Sequence, residues 1–310
     1  MQRLNISVVG LGRARLRLNA PGATRGHQAL TVSSGSRPQS PLVGVVVAED
    51  GDRVTQSGPH GRSSIPRSEP PPLSVCIATY NGERYVAGQI NTILSDISSD
   101  DEVIVVDDAS SDDTVAIIEA FRDPRVHIYI NSTNEGHVKA FERAIALASG
   151  RYVCLADQDD LWPPGRTAKV ISALRKYDVV AGEFTAFNVN GTASSSTLRA
   201  RDSSHTVRNI VGLALGRREY FGCAMAFRSE MQRYLLPIPW YVEAHDHWLA
   251  LSGNICGVLG HIEDTLVLRR IHDNNLTRPQ RRDLLPVIRT RLIWALSVTQ
   301  LLCRRVLSRT

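Results

Sequence analysis

Three aspartates fall within four residues at Asp157-Gln158-Asp159-Asp160, just after the apolar run Tyr152-Val153-Cys154-Leu155. Carboxylates this close repel one another, and a divalent cation is the usual remedy. An all-oxygen donor set suits Mg2+ or Mn2+, often shared with substrate phosphates. An acidic surface turn is the alternative, because Asp is a common turn residue. The preceding run reads as a short buried strand. The acids then sit at its C-terminal end, the edge at which open α/β sheets bind ligands.

Two further strand ends point the same way. Glu102-Val103-Ile104-Val105-Val106 is β-branched and uninterrupted, as a strand covered on both faces would be. It runs into Asp107-Asp108-Ala109-Ser110-Ser111-Asp112-Asp113-Thr114, and Leu73 to Ala78 runs into Thr79-Tyr80-Asn81-Gly82. Helical spacing follows each strand. Glu83 to Leu94 offers Tyr85, Ile90, Ile93 and Leu94 to one face, and Val115 to Phe121 has Asp112 or Asp113 as N-cap. Val126 to Ile130 is a further strand, and Val138 to Ala148 a further helix ended by Gly150. Such a βαβ series predicts an α/β fold, with a mostly parallel sheet flanked by helices and a site along one edge.

The segments Ala78-Thr79-Tyr80-Asn81-Gly82, Val105 to Asp112, Asn134-Glu135-Gly136 and Asp157-Gln158-Asp159-Asp160-Leu161-Trp162 resemble, in order and spacing, the motifs of inverting family 2 glycosyltransferases. The Asp-Gln-Asp-Asp-x-Trp form is especially similar to bacterial rhamnosyltransferase-like members. The resemblance covers residues 73–278 and implies a GT-A fold, which is Rossmann-like. It implies transfer of rhamnose or a hexose from a dTDP- or UDP-sugar to a glycan or lipid-linked acceptor in surface polysaccharide synthesis, with Mg2+ or Mn2+ as cofactor.

The same resemblance distributes roles. Thr79 and Asp107 would hold the nucleoside, with Asp107 (or its neighbour Asp108) accepting N3–H of uracil or thymine. Tyr80, Asn81, Glu83, Gly136 and Lys139 belong to the same crevice; for Asn81 and Glu83 the plain alternative is a turn and a helix start, for Lys139 a solvated helix face. The main metal contact falls on Asp159, with Asp157 or Asp160 on ribose or coordinated water, and Trp162 packs beneath. Asp246, in His245-Asp246-His247-Trp248, is the implied general base, a role compatible with capping the helix that follows. Arg270 would neutralise diphosphate, and His272 would touch diphosphate or metal.

Two other classes fit the sequence less well. A sugar nucleotidyltransferase usually carries a Gly-rich, basic loop after its first strand, and Thr79-Tyr80-Asn81-Gly82-Glu83 has one Gly and an acid. A degenerate nucleotide- or glycan-binding scaffold would not need Asp157, Asp159, Asp160 and Asp246 together. A processive synthase would carry a Gln-x-x-Arg-Trp signature, which is missing, so single-sugar addition is favoured.

The remaining sequence sets the surroundings. The 310 residues carry a net charge of +5, without the dense basic and aromatic stripe that nucleic-acid binding calls for. Five scattered cysteines show neither zinc nor redox spacing, which suits a reducing cytoplasm. Residues 1–72 are rich in Gly, Ser, Pro and Arg and read as a disordered leader or an upstream extension of the reading frame. Beyond Trp162, Thr167 to Lys176 reads as helix, Asp178 to Phe187 as strand, Gly191 to Ser204 as a mobile loop, Gly222 to Arg228 as extended chain and Thr265 to Leu268 as strand. Residues 279–310 form a basic amphipathic helical segment. Leu284 to Leu307 is apolar with Arg289, Arg291, Arg304 and Arg305 interspersed, and its mostly apolar run Leu292 to Cys303 is too short to span a bilayer. It either lies on an anionic membrane surface or packs on protein. The expected location is cytoplasmic, or peripheral on the inner face of the plasma membrane.

Overall fold

The computed structural model describes residues 46–47, 72–188, 191–195, 198–272 and 284–308. The N-terminal leader expected over 1–72 lies outside them, except for residues 46–47 and Pro72. Residues 43–310 form one compact unit, and every described residue belongs to it.

In chain order the strands are β1 (Val46–Val47), β2 (Leu73–Thr79), β3 (Glu102–Asp107), β4 (Val126–Ile130), β5 (Tyr152–Asp157), β6 (Val179–Asn188), β7 (Gly191–Ser195), β8 (Met225–Arg228) and β9 (Leu259–Arg270). The helices are α1 (Val86–Asp96), α2 (Thr114–Glu119), α3 (His137–Leu147), α4 (Arg166–Leu174), α5 (Thr206–Ala214), α6 (Gln232–Leu235), α7 (His245–Ile255) and α8 (Leu284–Leu307). All nine strands share one sheet in the order β1-β4-β3-β2-β5-β8-β6-β7, with β9 paired to β6. The half from β1 to β5 is parallel, and β8 joins β5 and β6 antiparallel. The expected mostly parallel, helix-flanked sheet is the observed one.

Residue parity decides which way each strand side chain points. Val75, Ile77, Val103, Val105, Cys154 and Ala156 enter the core layer that contains Val86, Ile90 and Ile93 of α1 and Val170 and Leu174 of α4. Cys76, Ile104, Val106, Val153 and Leu155 enter the opposite layer, with Phe141 and Ala144 of α3 and Trp248 and Leu249 of α7. Each fully buried Val, Ile or Leu contributes roughly 1.5–3 kcal/mol relative to exposure. The same parity sends Asp107 toward the α1 side and Asp157 toward the α3 and α7 side. It thereby spreads the acids around one strand edge.

Three local expectations change. Helix α1 begins at Val86, so Tyr85 precedes it and is free to face the site. The segment read as a mobile loop starts with β7, which forms a hairpin with β6 in which Thr192 pairs with Phe187. Ser- and Thr-rich chain takes extended form readily when an aromatic strand offers it a ladder. Asp246 is no N-cap: α7 starts one residue earlier, at His245, and Asp246 sits in its first turn.

Candidate active site

The register places Thr79 opposite Asp107 and Ala78 opposite Asp157, so β2, β3 and β5 end together at one edge. The loops leaving that edge are tied to one another. Thr79 Oγ1 donates to Asp107 Oδ2 at 2.8 Å, and Ser110 donates to Asp107 through both its N–H (2.8 Å) and its hydroxyl (2.6 Å). Asn81, in the left-handed region at φ 47, donates its N–H to Ser110 Oγ and accepts from Ser111 N–H, each at 2.9 Å. Glu83 accepts from the N–H of Asp113 at 3.2 Å, while Asp112 accepts from the N–H of Glu83 at 3.1 Å. Asp112 also accepts from the N–H of Thr114 at 3.0 Å, which makes it, rather than Asp113, the side chain that caps α2.

Asp107 and Asp108 are both buried. Asp108 accepts from Asn131 Nδ2 at 2.7 Å and from the N–H groups of Glu135 (3.0 Å) and Gly136 (2.7 Å). It therefore fixes the turn in which Gly136 takes φ 91, a conformation that favours glycine. In this conformation Asp107 acts through Thr79 and Ser110, whereas Tyr80 is exposed at the crevice mouth. Lys139 pairs with Glu142 at 2.6 Å on the surface of α3.

Gln158 bridges two of these loops. Its amide accepts from Tyr80 N–H at 2.9 Å and donates to Tyr80 C=O at 3.0 Å. Gly82 makes room for it: a Cβ there would come within 2.3 Å of Gln158 Oε1.

The acid loop is held from below and from β9. Arg166, fully buried, donates to the carbonyls of Leu155 (3.2 Å), Cys223 (2.7 Å) and Leu266 (3.2 Å), and lies 3.9 Å over the ring of buried Trp162. Leu161 and Leu268 exchange two backbone hydrogen bonds, at 3.0 and 2.9 Å. This brings Arg270 N–H to Asp160 Oδ1 and Arg270 Nε to the Asp159 carbonyl, each at 3.0 Å. His272 Nε2 lies 2.8 Å from Asp159 Oδ2. Tyr85 supports both β9-derived residues, stacked on His272 at 4.8 Å and lying under Arg270 at 5.0 Å.

Asp157, Asp160 and Cys223 present ligand atoms within 4.8 Å of one another. Burial, followed by repulsion from Asp159, pushes the Asp157 carboxyl above the usual range. Burial, then Asp157 and Asp159, raise Asp160 in the same direction. Burial, then the same two carboxyls Asp157 and Asp160, raise the Cys223 thiol far enough to keep it neutral. Asp160 Oδ2 is buried without a hydrogen-bond partner. An orphaned carboxylate oxygen beside mutually repelling acids is a donor set that a hard divalent cation fits.

Asp246 lies in the first turn of α7. It is half-buried and close enough to Asp157 to raise that carboxyl's pKa. It accepts from His247 N–H at 2.7 Å. His245, just before it, is buried against Phe141 at 4.2 Å and meets His137 edge-on at 5.7 Å, with neither ring nitrogen hydrogen-bonded. Burial brings the His245 pKa down to about 4. A Cβ on Gly222 would lie 2.3 Å from His245 Nε2, so the turn carrying Cys223 packs directly on this ring.

Thus Thr79, Tyr80, Asn81, Glu83, Asp107, Asp108, Gly136, Asp157, Asp159, Asp160, Asp246, Arg270 and His272 gather at or beside one strand edge, while Lys139 lies on an outer helix surface. Gln158, Ser110, Tyr85 and Arg166 were missed as site residues. Gln158 alone carried a signal, as the neutral residue inside the acid motif.

A mostly parallel sheet flanked by helices, with acidic strand ends gathered at one edge, defines an α/β architecture with one ligand-binding edge. The chain belongs to glycosyl transferase family 2, whose model matches residues 74–235. It is 27% identical over 213 residues to an uncharacterized glycosyltransferase of Nostoc sp. (strain PCC 7120), covering 66% of each chain. It is 29% identical over 120 residues to an Escherichia coli UDP-Glc:alpha-D-GlcNAc-diphosphoundecaprenol beta-1,3-glucosyltransferase, covering 38% of this chain and 47% of that one. Among the curated relatives matched, the chain spans 66% of the length of one and 34% of another. Similar solved structures include S. aureus TarS 1–349 in complex with UDP-GlcNAc (TM-score 0.55, 20% identity, 76% of this chain and 71% of that chain). Another is the mannosyltransferase PcManGT from Pyrobaculum calidifontis in complex with GDP-Man and Mn2+ (TM-score 0.51, 18% identity, 77% and 75%). The fold is GT-A-like.

Proposed function

We propose that this chain is a metal-dependent, inverting glycosyltransferase that moves rhamnose or a hexose from a dTDP- or UDP-sugar to a glycan or lipid-linked acceptor in surface polysaccharide synthesis. The observation that carries the reading is the close group of Asp157, Asp160 and Cys223, with its unpaired Asp160 oxygen, beside the shared end of β2, β3 and β5. One side of the crevice can hold a nucleoside diphosphate, and the other can take a proton.

The loops after β2 and β3, locked together by Thr79, Asn81, Ser110 and Asp107, form the base and ribose wall. Asp159, with Asp157 and Asp160, would hold Mg2+ or Mn2+, which supplies Lewis-acid charge to the departing diphosphate. Arg270 adds guanidinium charge on the same side, suited to phosphate oxygens. Asp246 receives the acceptor hydroxyl's proton as that oxygen attacks the anomeric carbon opposite the diphosphate, and one displacement inverts the centre. Buried His245 and Gly222 fix the start of α7 and so the aim of Asp246. A cytoplasmic location, or a peripheral one on the inner face of the plasma membrane, belongs to the same reading.

Calorimetric titration with dTDP, UDP and GDP, with and without Mn2+, tests the donor site. Mn2+-dependent binding of dTDP or UDP, with GDP much weaker, is expected. A folded sample that binds none of them would overturn the reading.

A further inference from the structure

Helix α8 has two faces. Trp294, Ser297, Leu301 and Arg304 turn inward: Leu301 and Ser297 are buried, and Arg304 donates to the carbonyls of Tyr234 and Pro237, each at 2.6 Å. The opposite face is exposed and apolar. Leu292, Leu296, Leu302 and Val306 are 61%, 54%, 49% and 64% exposed, and Ala295, Thr299 and Cys303 lie open between them. These positions recur at three- and four-residue steps and make one continuous stripe, about 21 Å long at 1.5 Å per residue.

The charge pattern says what could cover it. Leu284 to Leu307 contains no acidic residue; Arg291 is exposed just before the stripe and Arg305 is half-buried near its end, while Arg289 pairs with Glu243 and Arg304 turns inward. A second copy of the helix laid antiparallel would set Arg291 near Arg305, with no carboxylate on either helix to answer them. An anionic lipid surface satisfies the apolar face and its basic flanks together. Beside the helix stands Trp240, whose side chain is 90% exposed. It is joined to α8 through Tyr241, which packs on it at 5.9 Å and donates its hydroxyl to Gln300 at 2.5 Å, and through Glu243, which pairs with Arg289 at 2.5 Å. An indole of this kind suits the headgroup level of a membrane. No helix among the described residues is long and apolar enough to cross one.

We infer that α8 and Trp240 form a single docking surface that lays the protein on an anionic bilayer. The segment carrying Trp240 leads, six residues later, into Asp246. Docking therefore sets the candidate base close to the bilayer, where a lipid-linked acceptor would present its sugar hydroxyl. The inference deepens the lipid-linked reading above, yet its test does not depend on sugar transfer.

The test is flotation of the full chain with vesicles of phosphatidylcholine containing about a third phosphatidylglycerol, against vesicles of phosphatidylcholine alone. The chain should float with the anionic vesicles and release at high salt. A Leu292→Ser/Leu296→Ser/Leu302→Ser variant should bind roughly tenfold more weakly or worse, and Trp240→Ala should weaken binding on its own. Nucleotide titration of both variants reports whether the fold and donor site are intact. Failure of the wild type to float, equal binding to neutral vesicles or undiminished binding by the triple variant would each overturn the inference. So would a dimer that the triple variant splits while the wild type ignores lipid.

Discussion

Gln158 grips the backbone of Tyr80 through two hydrogen bonds, one accepted and one donated, at 2.9 and 3.0 Å. An amide is the one common side chain that meets a peptide N–H and its own C=O in this way. The neutral member of the acid motif thus couples the β2 loop to the carboxylates of the β5 loop. Gln158→Leu should weaken nucleotide binding about tenfold, since two neutral hydrogen bonds contribute about 0.5–1.5 kcal/mol each. Titration calorimetry measures the change, and an unchanged Kd would remove the clasp from the binding machinery.

For Asp246→Asn, the transfer rate should fall about 10²–10⁴-fold with nucleotide affinity unchanged. Rates come from single-turnover transfer with saturating donor, and affinity from titration. An active Asn variant would shift the base elsewhere, with Glu243 the first candidate.

Asp159→Asn should abolish the Mn2+ dependence of nucleotide binding. His272→Gln should leave the dependence in place and weaken it by about 10–100-fold, because a group that orients a ligand from behind acts on affinity at that scale. Titrations over a Mn2+ series distinguish the two. Identical behaviour in wild type and Asp159→Asn would remove Asp159 from the metal set.

The contribution of His245 and His261 to stability should decline from pH 7 to pH 5, while the raised carboxyls of Asp157 and Asp160 act in the opposite sense. Burial, the largest cause for each, holds His245 and His261 down to about 4 from an ordinary 6.5. Above pH 6.5 both rings are neutral in the folded and unfolded chain, so they add no pH dependence. As pH falls through 6.5 the unfolded chain takes up protons that the folded chain refuses until about 4. Each ring then removes on the order of 2 kcal/mol between pH 7 and pH 5. His261 accepts or donates to the Tyr220 hydroxyl at 3.0 Å and has Arg218, Asp202 and His205 as its charged neighbours. Urea midpoints of wild type and His261→Gln at the two pH values isolate the ring: between pH 7 and pH 5 the wild type should lose more stability, or gain less, than the variant, and an identical pH response in the two would remove His261 from the account.

Much of the donor side was legible because its signals are local. Uninterrupted runs such as Val103 to Val106 announce strands covered on both faces, and acids at their ends need no tertiary knowledge to be noticed. What escaped depends on partners far along the chain. Tyr85 looked like one more apolar helix residue until β9 brought Arg270 and His272 onto its ring. Arg166 reads as an ordinary surface cation, and only the folded sheet shows it buried beneath the acid loop. The β7 hairpin was hidden because Ser and Thr suit loops and edges alike, and the choice between them is made by the neighbouring strand.

Strand β8 enters the sheet between β5 and β6, although it is made after both. Until Met225 to Arg228 arrives, each of those two strands keeps an open edge in the middle of what will become the sheet. Assembly is therefore governed by contacts distant in sequence, the regime of slow folding. A chain interrupted between residues 188 and 225 would contain most of the acid motifs and still expose the β8-facing edges of β5 and β6 and the β9-facing edge of β6. Such edges template aggregation. For this protein the order in which the chain is made is itself a hazard, which the short strand Met225–Arg228 closes in the middle of the sheet and β9 closes on the far side of β6.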